Sequence, residues 1–80
     1  MSDVVYGIRE EIYELQDDRR VSYGIVVYDN TDGENTYTVL ESIGDITSDK
    51  NKLIRLVEEC NISELSPIHL KEIIEDFMLE

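Results

Sequence analysis

The sequence predicts an α+β fold: a three-stranded antiparallel β-meander followed by a two-helix hairpin packed on one sheet face. Three observations carry that expectation. Valine- and tyrosine-rich runs alternate with polar residues in the first half of the chain. Short polar turns separate those runs, and beyond residue 45 the apolar spacing changes to that of an amphipathic helix. With 80 residues, of which 41% are hydrophobic, the chain supports one domain over residues 1–80. A domain of that size buries about 60–65% of its unfolded surface.

The first segment fits two periods. Val4, Ile8, Ile12 and Leu15 have helical spacing, whereas Ile8, Glu10, Ile12 and Glu14 alternate as a strand does. The polar run QDDRR then reads as a turn into the next segment, which favours a strand over residues 9–16. The second segment, RVSYGIVVYDN, is a clearer strand with Val21, Tyr23, Ile25 and Val27 on one face. Gly24 marks a bulge or a close backbone approach within it. NTYTVLESI supplies the third strand, with Tyr37, Val39, Glu41 and Ile43 expected on one face.

Between the second and third strands lies YDNTDGENTY, residues 28–37. With Gly33 at position 6 of a calcium loop, Asp32 and Asn30 fall on ligand positions 5 and 3. Tyr28 and Val39 then occupy positions 1 and 12, which removes the first ligand and the bidentate glutamate. The run is expected to be a hairpin tip, because Asp-Gly tolerates the positive φ of a tight turn.

The period changes in DITSDKNKLIRLVEECN, residues 45–61. Ser48 or Thr47 is the expected N-cap, with Asp49 in the first turn, and Asn61 the expected C-terminal cap. Leu53, Ile54, Val57 and Cys60 form the apolar stripe. A second helix is expected from Ser66 as N-cap with Pro67 at its first position. Its stripe is Leu70, Ile73, Ile74, Phe77 and Met78, at i, i+3, i+4, i+7 and i+8.

Catalytic and metal chemistry find little support. Cys60 and His69 are the single cysteine and histidine. A thiol–imidazole pair needs a third group to orient the ring, and structural zinc needs four ligands. Glu72, Glu75 and Asp76 read as a solvated helix face, and four scattered glycines make no phosphate loop. Neither a catalytic residue, a metal nor a cofactor is expected, and a ligand pocket near His69 is the remaining small-molecule reading.

The strings SYGI at 22–25, DITSDKNKL at 45–53 and LSPIHLKEIIEDFM at 65–78 resemble a family of small domains of unknown function from clostridial Firmicutes. The most specific part is Ser66-Pro67-Ile68-His69-Leu70 followed by Glu75-Asp76-Phe77. The resemblance implies a few strands followed by two helices and transfers no functional residue.

Charge points to the partner class. Nineteen acidic and seven basic residues give a net charge of −12. Such a surface disfavours direct contact with nucleic acid or anionic lipid. Between Val21 and Ser48 there are five acids, Asp29, Asp32, Glu34, Glu41 and Asp45, and no Lys or Arg. These five are the candidate partner-binding residues, and the expected partner is a basic protein. The functional expectation is a small cytoplasmic, non-enzymatic interaction or regulatory module. A homodimer through a sheet edge is the expected route of self-association. The alternative is a DNA-mimic inhibitor of a nuclease or nucleic-acid-binding protein, of the anti-CRISPR type, which requires the five carboxylates in a row at phosphate-like spacing. The single cysteine and the N-terminal MSDVVYGIREE, which lacks a basic region followed by an apolar stretch, fit a cytoplasmic protein.

Overall fold

The computed structural model describes residues 4–30 and 37–79. Its sheet has the order β1-β2-β3 with both pairs antiparallel: β1 is Val4–Leu15, β2 Asp18–Asp29 and β3 Thr38–Thr47. Helix α1 spans Lys50–Ile62, a 3-10 turn covers Pro67–His69, and α2 spans Leu70–Met78. Close approaches place α1 against β1 and β2, and α2 against β3.

β1 begins at Val4 rather than near residue 9. The spacing of Val4, Ile8 and Ile12 suits a helix, but an interval of four is also even, so a strand puts all three on one face. Tyr6 falls between them and is buried, with Val27 opposite it on β2, and Ile8 faces Ile25. Burial of Tyr6 extends the strand to its full length. The β1–β2 hairpin closes on the pair Leu15 and Asp18, with Gln16 at φ 54° supplying the positive backbone angle of the two-residue loop. At the other hairpin, pairing ends at Asp29 and Thr38, and the expected Asp32-Gly33 tip lies outside the described residues.

β3 departs from simple alternation in two places. Val27 pairs with Glu41 but Tyr28 pairs with Val39, which leaves Leu40 as an extra residue. Val39 and Glu41 therefore face opposite sides of the sheet, not one side as their spacing suggests. Further along, Tyr23 pairs with Thr47 and Ile25 with Ile43, so Gly44, Asp45 and Ile46 of β3 stand against Gly24 alone, a surplus of two. A Cβ at Gly24 would overlap the Ile43 carbonyl, so the close approach expected at this glycine is present. Asp45 takes φ 55° in the bulge, and Ile46 turns into the core.

The caps differ from the expected ones for electrostatic and geometric reasons. Asp49 is the N-cap of α1, and its carboxylate accepts from the Lys52 N–H at 3.1 Å. A carboxylate meets the exposed N–H groups and the positive dipole end better than the hydroxyl of Ser48. Thr47 assists one step earlier, its Oγ1 accepting from the Asp49 N–H. At the other end, Ser63 rather than Asn61 is the C-cap. Glu64 follows at φ 51°, its N–H donating to the Asn61 carbonyl, while the Leu65 N–H donates to the Cys60 carbonyl at 3.0 Å. This pair of bonds is a Schellman closure with glutamate where glycine is commonest. Ser66 precedes the 3-10 turn without a side-chain capping bond, and α2 proper begins at Leu70.

The core lies between one sheet face and the two helices. Ile25, Val27, Leu53 and Leu70 are fully buried at its centre, joined by Val57, Cys60, Ile74 and Phe77. Ile73 is half-buried and Met78 is 61% exposed, so the α2 stripe is narrower than its spacing implies. Replacing Phe77 with Ala is expected to cost about 3–5 kcal/mol, the range for aromatic truncation in a core. Urea denaturation checks this; an unchanged midpoint would show that α2 does not dock through Phe77.

Candidate protein-interaction surface

The helices cover one face of the sheet and leave the other open. Odd-numbered residues of β1 and even-numbered residues of β2 point away from the helices, because their neighbours Tyr6, Ile25 and Val27 point inward. The uncovered face thus carries Val5, Gly7, Arg9, Glu11, Tyr13 and Leu15 from β1. Ser22, Gly24, Val26 and Tyr28 come from β2, the first three of them buried, with Ser42 and Val39 opposite the last two on β3.

One half of this face is polar. The Arg9 guanidinium reaches Glu11 at 2.8 Å and donates to the Ser42 hydroxyl. Glu11 also accepts from the Tyr13 phenol and lies over Gly44, where a Cβ would overlap its carboxylate. Absence of a side chain at Gly44 therefore makes room for the network. Ser22, buried, donates to Asp45 at 2.7 Å. An open groove of about 540 Å³ adjoins these groups, lined by Tyr13, Leu15, Arg20, Ser22, Asp45 and Ile46. The other half is apolar and aromatic: Tyr37, 53% exposed, meets Tyr28 edge-on with ring centroids 6.0 Å apart, and Val39 is 56% exposed.

The five candidate carboxylates do not all share this face. Asp29 ends β2, half-buried. Glu41 pairs with Val27 and so stands on the helix side, near enough to Tyr6 to act on its phenol. Asp45 lies on the opposite side against Ser22, and Asp32 and Glu34 fall outside the described residues. The described members form no single row. The Arg9–Glu11–Tyr13 network was not among the expected sites. Its signal is the spacing Arg9, Glu11, Tyr13 at intervals of two, which a strand places on one face.

Cys60 and His69 separate by environment. Cys60 is buried in the core, and burial pushes its thiol up, which withholds the reactive thiolate. His69 is exposed at the end of the 3-10 turn. Among the described residues no group of three or more His, Cys, Asp or Glu side chains is arranged to hold a metal ion. Among the same residues, no helix is long and apolar enough to cross a membrane.

Titration of the tyrosines links the site to stability. Burial, then the neighbouring Cys60 and Glu41, push the Tyr6 phenol above its ordinary value of 10.0. The hydrogen bond to Glu11 pushes Tyr13 in the same direction. Each native phenol keeps a proton that the unfolded chain releases, so stability is present below pH 10.0 and falls as pH rises through the native value. Tyr6→Phe is expected to show a shallower loss of stability above pH 10.0 than the wild type. Denaturant titrations across that range check it, and parallel declines would contradict it.

All 80 residues, 1–80, match the model of a family of unknown function (DUF6514), and the chain belongs to that family. No curated protein and no solved structure matches the chain.

Proposed function

We propose, for this member of a family of unknown function, a non-enzymatic role as a small acidic module that binds a basic protein partner. The observation that carries this reading is the uncovered sheet face. Tyr13, Leu15, Tyr37 and Val39 are 41%, 71%, 53% and 56% exposed there, beside the Arg9–Glu11 pair and Asp45. Tyrosines and aliphatic residues interleaved with a few charges are the composition of a protein-contact surface. The net charge of −12 adds long-range attraction for a basic partner and repels nucleic acid. A single, buried, unpaired Cys60 fits a reducing, cytoplasmic compartment. On the resemblance of its Ser66-Pro67 and Glu75-Asp76-Phe77 strings, we assign the family to clostridial Firmicutes.

The DNA-mimic alternative draws less support, because Glu41 and Asp45 lie on opposite sides of the sheet. Affinity capture from a native lysate tests the leading reading, comparing the wild type with Tyr13→Ala combined with Val39→Glu. Both positions are exposed, so the fold is expected to survive. A protein recovered in stoichiometric amount by the wild type, and at least tenfold less by the variant, is the expected result. Equal recovery by both would remove the uncovered face as the contact surface. Stabilisation by a nucleotide or metal in a thermal-shift screen would instead favour a ligand-binding domain.

A further inference from the structure

We propose that the bare edge of β1 from Ile8 to Glu14 is a strand-addition site for an extended, Lys/Arg-bearing segment of a protein partner. The inference rests on the protein-binding reading above and narrows it to one edge and one ligand chemistry.

The phase of the edge follows from Tyr6. Its backbone N–H donates to Asn61 Oδ1 at 2.8 Å, and Asn61 Nδ2 donates to its carbonyl at 3.0 Å. Asn61 thus occupies the place of a neighbouring strand, so the backbone groups of Tyr6 point away from β2. Backbone N–H and C=O groups of an edge strand alternate between its partner and the outside. With the continuous register of β1 on β2, Ile8, Glu10, Ile12 and Glu14 turn theirs outward as Tyr6 does. Among the described residues nothing bonds to these outward groups. Asn61 closes the edge at Tyr6, and α1 offers no equivalent beyond it.

The side chains along this edge select the occupant. Glu10 and Glu14, the latter 3.9 Å from the Arg19 guanidinium, flank it on the helix side, while the Glu11 carboxylate turns across the sheet to Arg9 and Gly44. Arg9 is already engaged by Glu11 and Ser42. Ile12 and Tyr13, 49% and 41% exposed, supply apolar contact between the carboxylates. A strand added here sets its own side chains beside Glu10 and Glu14, where Lys or Arg is favoured and an acid is penalised. A second copy of the chain is the poorer occupant. It would bring the same two glutamates together and oppose two charges of −12. Strand addition draws affinity from main-chain hydrogen bonds and specificity from alternate side chains, both of which this edge offers.

The test uses the full-length protein and a blocked octapeptide of alternating Lys and Val. Amide exchange by NMR is expected to slow at least tenfold at Ile8, Glu10, Ile12 and Glu14 when the peptide binds. Affinity is expected to fall as salt rises. Ile12→Pro removes one outward N–H, a change an edge strand tolerates, and is expected to weaken binding at least tenfold. Glu10→Lys with Glu14→Lys leaves the backbone untouched and is expected to weaken it comparably, which keeps the test decisive if the proline variant does not fold. Peptide binding with unchanged exchange at the four amides, or full affinity in the folded variants, would overturn the proposal. So would an absence of peptide binding, or a homodimer in light scattering with those amides protected before peptide is added. Any of these with lysate capture by the open face intact would sink the edge site and leave the module reading standing.

Discussion

Tyr6 is the point at which sheet and helices are tied together. Its ring is buried in the core, its phenol donates to the Leu65 carbonyl at 2.7 Å, and its backbone is clasped by the Asn61 side chain. These bonds join residues 55 and 59 positions apart in the sequence. The Leu65 carbonyl is in place to accept because the Schellman closure at Ser63 and Glu64 turns the chain sharply after α1. The Asn61 side chain is free to reach β1 because the helix is capped two residues later. Each bond contributes about 1 kcal/mol net, but a buried partner left unsatisfied costs more, so the clasp is dearer to break than to form. Without it, apolar contact alone would set the position of α1 on the β1 edge.

The same clasp shapes the edge proposed to carry function. An edge strand invites indiscriminate pairing, and small proteins blunt such edges with charge or cover. Here Asn61 covers the start of the β1 edge, and Glu10 and Glu14 charge the rest. In the proposed strand-addition site those carboxylates disfavour an acidic strand and leave the main-chain groups open to a basic one. At the opposite edge, the bulges at Leu40 and Gly44–Ile46 interrupt β3 and turn Ile46 inward. The two edges are therefore unequal, and the uncovered face lies between them.

Much of this was legible in residue order. The three strands, two helices and antiparallel order follow from the apolar periods and the polar runs between them. Gly24 announced a close backbone approach, and the packing of Leu53, Val57, Cys60, Leu70, Ile74 and Phe77 followed from helical spacing. What escaped depends on contacts that local patterns do not encode. An asparagine near a helix end reads as a cap, and only the folded chain puts Asn61 beside the Tyr6 backbone. The surplus residues in β3 change the facing of Glu41 against Val39, because a single insertion reverses the alternation that follows it. Glu41 and Asp45 stand an even four residues apart yet lie on opposite faces, because the surplus residues after Ile43 intervene. Asp49 replaced Ser48 as the α1 cap in a stretch where both residue types compete for the same role.

A double-mutant cycle across the clasp, Tyr6→Phe with Asn61→Ala, tests whether it acts as one unit. Urea denaturation of the wild type, the two single variants and the pair provides the four stabilities required. If the phenol and the carboxamide jointly hold the end of α1 on β1, the double variant loses about 1 kcal/mol less than the sum of the single losses. Single losses that add to within about 0.3 kcal/mol would mean that the two bonds act independently and that the helices are positioned by core packing alone.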